Sequence, residues 1–125
     1  MQAKSKILIV EDNKNLSSLF AFYLEKEGYV VDYAYDGEEA LAKLKTYVPD
    51  LVMLDLILPK KDGFSFLEDM RKDEAFSKVL VLMVTNINDP KEINRAMKLG
   101  AQDYMLKSNI SQTYLIAKIN SLLAG

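Results

Sequence analysis

Two hydrophobic periods alternate along the chain. Ile7-Leu8-Ile9-Val10 is a short unbroken apolar run, the pattern of a strand buried on both faces. From Asn13 the period changes: Leu16, Leu19, Phe20, Tyr23 and Leu24 recur at helical spacing, and Gly28 ends that helix in a position suited to a left-handed cap. Val30, Val31, Tyr33 and Ala34 predict a second strand. Gly37 to Val48 predicts a second helix, with Ala40, Leu41, Leu44 and Val48 on one face and Pro49 closing it. The cycle then repeats three times. Leu51–Leu54, Val79–Val84 and Tyr104–Leu106 read as strands. Phe64–Lys72 reads as a helix inward through Phe66, Leu67 and Met70. Pro90 to Gly100 reads as another, capped by Asn88 or Asp89 and striped by Ile93, Ala96 and Met97. Leu115, Ile116, Ile119, Leu122 and Leu123 mark a final helix.

Five strand–helix units with short connections predict parallel strands, because each crossover helix returns the chain in the same direction. Right-handed crossovers place helices on both faces. The fold class is therefore α/β, a doubly wound five-stranded parallel sheet. A length of 125 residues without a Gly-, Pro- or Ser-rich linker reads as one domain spanning residues 1–125.

Composition narrows the chemistry. The chain has no Cys and no His, which removes disulfides, thiolate nucleophiles, zinc ribbons, serine-type triads and imidazole bases together. A net charge of −2 argues against a nucleic-acid surface. The polar start at Met1–Lys6 carries no signal-peptide core, and no apolar run reaches the length of a membrane span. The expectation is a cytoplasmic domain with no membrane contact, whose polar chemistry runs on carboxylates, Lys, Arg, hydroxyls and bound ions.

In an open parallel sheet, ligands bind beyond the carboxyl ends of the strands. Glu11 and Asp12 follow the first strand, Asp55 ends the third, Thr85 the fourth and Lys107 the fifth. Taken singly each has a plain account: Asp12 a helix cap, Thr85 a turn residue, Lys107 a solvated cation. Together they gather three carboxylates at one rim, where two only 4 Å apart repel by roughly 4 kcal/mol at an effective dielectric near 20. A cation would offset that cost, and three hard oxygen ligands select Mg²⁺, Mn²⁺ or Ca²⁺. Lys107 and Thr85 opposite would hold phosphate oxygens, and a carboxylate in such a hollow can act as nucleophile. The rim reads as a site for phosphoryl transfer onto an aspartate.

The stretches Ile7-Leu8-Ile9-Val10-Glu11-Asp12-Asn13, Asp55-Leu56-Ile57-Leu58-Pro59 with Asp62-Gly63, Val84-Thr85, and Gly100-Ala101-Gln102-Asp103-Tyr104-Met105-Leu106-Lys107 resemble, in register, the receiver domain of two-component response regulators. The resemblance implies a flavodoxin/CheY-like (βα)5 fold with strand order 2-1-3-4-5. It implies that Asp55 accepts a phosphoryl group from the phosphohistidine of a sensor histidine kinase or histidine phosphotransfer protein. By the same resemblance Mg²⁺, with Mn²⁺ as a substitute, is held by Asp12, by Glu11 through water, by Asp55 and by the backbone carbonyl of Ile57. Lys107 and Thr85 would take phosphoryl oxygens. Thr85 and Tyr104 would form the switch, which alters the face made by the fourth helix, fifth strand and fifth helix for a downstream protein or output domain. Such a domain catalyses only its own phosphorylation and dephosphorylation and is not otherwise an enzyme.

Departures from the family pattern are specific. Ser108 follows Lys107 where a proline in a cis peptide is usual, so the shape of that loop is an open point. Asn86 stands where a small residue is common. Ile57 and Ile87, two residues beyond Asp55 and Thr85, cannot orient a hydrolytic water, so slow autodephosphorylation is expected. Asp103 and Lys118 sit where DNA-binding relatives make dimer contacts, though solvated charges are the plainer account. Two other readings remain. The chain is the receiver of a longer regulator with a DNA-binding or enzymatic output domain, Leu122–Gly125 being where a linker would start. Or it is a magnesium-dependent aspartyl-phosphate phosphatase, a reading weakened because Ile57 occupies the place of that enzyme's second acid.

Overall fold

The apolar runs do become the strands. In the computed structural model, which describes residues 5–124, β1 is Lys6–Val10, β2 Val30–Ala34, β3 Leu51–Leu54, β4 Leu80–Thr85 and β5 Asp103–Leu106. They form one parallel sheet in the order β2-β1-β3-β4-β5. β3 lies at its centre between β1 and β4, and all four residues of β3 are buried, as expected of a strand covered on both faces. The helices are α1 Lys14–Lys26, α2 Gly37–Leu44, α3 Gly63–Arg71, α4 Pro90–Lys98 and α5 Gln112–Ala124. Residues 1–4 and 125 lie outside the described residues, and with them part of the polar start and of the end read from the sequence.

Two apolar layers hold the helices to the sheet. Leu8, Val10, Val52, Leu54, Val81 and Met83 face Phe66, Leu67, Met70 and Ala96. Alternate residues Ile7, Ile9, Met53, Leu82 and Val84 face Phe20, Leu24, Leu115 and Ile119. The period of two along each strand therefore serves both layers.

Four details depart from the sequence reading. The buried stripe of α1 is Ser17, Phe20, Ala21 and Leu24, so Leu19 turns outward, 43% exposed. α2 stops at Leu44, not Val48. Lys45 and Thr46 close with tight bonds to the carbonyls of Ala42 and Lys43, and Val48, pushed out of helical geometry by Pro49, is exposed. Met97 lies on the outer side of α4, where only Ile93 and Ala96 are buried. A 3-10 turn at Glu74–Phe76, too short to show a period, buries Phe76 between α3 and β4.

Candidate functional site

The carboxyl ends of β1, β3, β4 and β5 converge because backbone bonds tie them in register. Glu11 N–H donates to the Ala34 carbonyl and Asp55 N–H to the Val10 carbonyl, both at 3.0 Å. Just past β1 the helix cap is Asn13 and not Asp12: Asn13 Oδ1 accepts from Leu16 N–H at 3.1 Å. That division leaves the exposed Asp12 carboxylate free of capping duty. Asn13 also donates its own N–H to Glu11 Oε2 at 3.0 Å, which aims the Glu11 side chain across the sheet end.

Asp55 is 4% exposed and Glu11 2%. Carboxylate oxygens of Glu11, Asp12 and Asp55 all lie within 4.8 Å of one another. At that separation each pair repels by roughly 3.5 kcal/mol at an effective dielectric near 20. Lys107 reaches in from the end of β5, its Nζ 2.5 Å from Asp55 Oδ2 and 2.6 Å from Glu11 Oε1. One ammonium against three carboxylates leaves a local charge of −2, the charge a divalent cation cancels. An all-oxygen donor set of this kind fits Mg²⁺ and favours hard cations such as Mg²⁺, Mn²⁺ or Ca²⁺ over zinc or copper.

The charge states reflect this crowding. Burial pushes the Glu11 carboxyl above its usual pKa of 4.5, and the nearby Asp55 charge adds to the rise. The Lys107 bond and the Asn13 N–H offset only part of it. For Lys107 burial works against the ammonium, but hydrogen bonds to Asp55 and Glu11 outweigh it and raise the pKa above 10.5.

The loop after β3 is shaped around Asp55. Ile57 N–H donates to Asp55 Oδ1 at 3.2 Å, while its side chain stands 62% exposed beside the site. Gly63 N–H returns to the Leu56 carbonyl at 3.0 Å, and a Cβ on Gly63 would sit 2.4 Å from the Asp55 carbonyl oxygen. Asp62 caps α3 through Ser65 N–H. Gly63 and Asn13, quoted among the motif stretches without a role, are thus structural members of the site. A glycine at a helix start and an Asn directly after two acids are the signals that mark them.

Thr85 ends β4, fully buried, and its Oγ1 accepts from Ile87 N–H at 3.2 Å. In the sheet register Thr85 lies opposite Leu106 and Met83 opposite Tyr104, so Tyr104 is one pleat back from the site. Its ring is 38% exposed. Lys107–Asn109 form a 3-10 turn, and among the described residues no peptide bond is cis; Ser108 therefore follows Lys107 through a trans bond that still delivers Nζ to Asp55. Asp103 and Lys118, read as solvated charges, pair with each other at 2.6 Å.

Residues 7–120 match the family model described as response regulator receiver domain. The alkaline phosphatase synthesis transcriptional regulatory protein PhoP of Bacillus subtilis is 37% identical over 118 residues, covering 94% of this chain and 48% of that protein. The DNA-binding dual master transcriptional regulator RpaA of Synechocystis is 36% identical, covering 94% and 48%. The chain spans about half the length of these curated relatives. Among solved structures, a CheY-like receiver domain protein from Methanospirillum hungatei superposes with a TM-score of 0.91 at 29% identity, covering 98% of this chain and 95% of that one. The chemotaxis protein CheY4 of Vibrio cholerae superposes with a TM-score of 0.89 at 27% identity, covering 95% and 98%. The chain therefore belongs to the receiver domains of two-component response regulators.

Proposed function

We propose that this receiver takes a phosphoryl group onto Asp55 from a phosphohistidine of a sensor kinase or phosphotransfer protein, and that Mg²⁺ is held for the reaction by Asp12, Glu11, Asp55 and the Ile57 carbonyl. The observation that carries the reading is the buried Glu11–Asp55–Lys107 cluster with Asp12 beside it, short of one divalent cation in charge. When bound, the ion neutralises charge on the incoming phosphoryl oxygens. A carboxylate oxygen of Asp55 forms the new bond to phosphorus while the P–N bond to the donor imidazole breaks, its electron pair returning to nitrogen, and the imidazole, protonated on its other ring nitrogen, leaves neutral. Lys107, already at the Asp55 carboxylate, shifts its bond to a phosphoryl oxygen. Thr85 exchanges its local Ile87 contact for a second phosphoryl oxygen. Tyr104 then turns inward, and the face of α4, β5 and α5 changes for a partner. Positioning and charge neutralisation are what phosphoryl transfer asks of a protein, and this cluster supplies both.

Amide NMR with Mg²⁺ and beryllofluoride tests this switch. Shifts at the Asp55 loop, at Thr85 and across 89–123 support it. Shifts confined to the Asp55 loop contradict the switch, and binding that persists in Asp55→Ala contradicts the site.

A second reading concerns the output. The net charge of −2 argues against a nucleic-acid surface on this chain, whereas PhoP and RpaA are about twice as long and are named as transcriptional regulators. That length difference favours a receiver working within a longer DNA-binding regulator, with the nucleic acid contacted by the output part and not by this surface. A reading frame continuing past Gly125 into such a domain is the expected finding; a stop codon there contradicts it.

A further inference from the structure

The outer edge of the sheet carries the stretch Tyr29-Val30-Val31-Asp32-Tyr33-Ala34-Tyr35, which holds one charged residue and neither Gly nor Pro. Segments of high β-propensity and low charge on an open edge are templates for pairing with another strand. The backbone shows which groups are open. Val30 N–H donates to the Ser5 carbonyl and the Ala34 carbonyl accepts from Glu11 N–H, so residues 30, 32 and 34 bond toward β1. Alternation turns the N–H groups of Val31, Tyr33 and Tyr35 outward.

Two of those three outward donors are already taken by carboxylates. Asp32 Oδ1 accepts from Tyr33 N–H at 2.8 Å, and the same oxygen is held by Lys43 Nζ of α2 at 2.8 Å. Glu39 Oε1, also from α2, accepts from Tyr35 N–H at 2.5 Å. Val30 stands 47% exposed, and the rings of Tyr33 and Tyr35, both half-buried, stack at 6.3 Å beside it. We propose that Asp32, held by Lys43, and Glu39 close the free edge of β2 against strand addition, and that the partner they exclude is the same edge of a second copy of this chain.

Two identical edges meeting antiparallel would form an isologous contact, each offering the donors the other accepts. An added strand needs the outward N–H groups of 33 and 35, which the carboxylates occupy, and would bring two Asp32 charges toward each other across the contact. None of these residues belongs to the phosphorylation site, so the inference stands apart from the function proposed above.

The test is light scattering over a concentration series together with hydrogen exchange read by mass spectrometry. Wild type is expected to keep one monomer mass. Asp32→Ala/Glu39→Ala is expected to rise with concentration toward the mass of a dimer, with new protection in peptides spanning 29–35. Adding Val30→Lys, a charge on the exposed position of the same strand, should return the monomer. Asp32→Thr, with a strand-favouring residue, carries the same test if the double variant does not fold. A folded variant that stays monomeric at every concentration overturns the proposal. So does association without protection at 29–35, because the contact would then lie elsewhere.

Discussion

Glu11 sits at the point where the site's charge is most strained. Its pKa is raised, so the folded state holds that proton more tightly than the unfolded chain does. The sign follows directly: stability from this group is present below about pH 4.5 and is lost as pH rises through the raised value. In a chelator, Glu11→Gln should therefore gain stability relative to wild type as pH is raised from 4.5 toward neutrality, read as a growing difference in Tm. A difference that does not change with pH contradicts the raised pKa. Ile57 and Ile87 act at the same scale. Both are apolar, Ile57 is exposed beside Asp55, and neither can align a water for attack on an acyl phosphate. Ile57→Asn or Ile87→Glu should speed loss of phosphate by up to roughly a hundredfold, the low end of what a positioned acid–base group contributes. Decay rates unchanged in both variants rule the idea out.

Elements place these residues, and the sequence showed their order better than their orientation. The inner strands were legible because a buried parallel strand is an unbroken apolar run, as at Leu51–Leu54, while the edge strands β2 and β5 carry a charged residue each. The facing of α1 was legible through Leu16, Phe20, Tyr23 and Leu24 but not at its margin, where Ser17 is buried and Leu19 turns outward, the reverse of what hydrophobicity suggests. α2 ended early because Lys45 and Thr46 close in i→i−3 turns and Pro49 holds Val48 out of helical geometry, neither of which an apolar count reveals. The loop after β3 depends on α3 starting at a residue with no side chain. Gly63→Ala would set a Cβ 2.4 Å from the Asp55 carbonyl oxygen, which is backbone and has little room to yield. It should cost about 1–3 kcal/mol in urea unfolding and slow phosphorylation of Asp55 by displacing its loop. Unfolding and phosphorylation both matching wild type show that the loop relaxes freely.

Over the whole molecule, one sheet end collects acids from β1 and β3 and their countercharge from β5. Lys107 and Asp55 are 52 residues apart, so the motif could name them but only the strand order could bring them together. That dependence has a measurable consequence. Removing Lys107 leaves Glu11 and Asp55 buried without their shared cation, a change that costs about 3–5 kcal/mol for a buried pair. Lys107→Met should therefore be destabilised in chelator, and Mg²⁺ should restore more stability to it than to wild type, because the ammonium no longer competes for the same oxygens. Equal stabilisation of the two proteins by Mg²⁺ contradicts the shared site. Lys107 contributes its own stability at neutral pH, and that contribution should vanish only as pH rises beyond 10.5 and through its raised pKa.

The most direct measurement is intact mass after incubation with acetyl phosphate, followed by peptide mapping. With Mg²⁺ the wild type is expected to gain one phosphoryl group on the peptide containing Asp55, and to gain none in chelator or in Asp55→Ala. A phosphoryl group that forms equally without a divalent cation, or that persists in Asp55→Ala, contradicts the account.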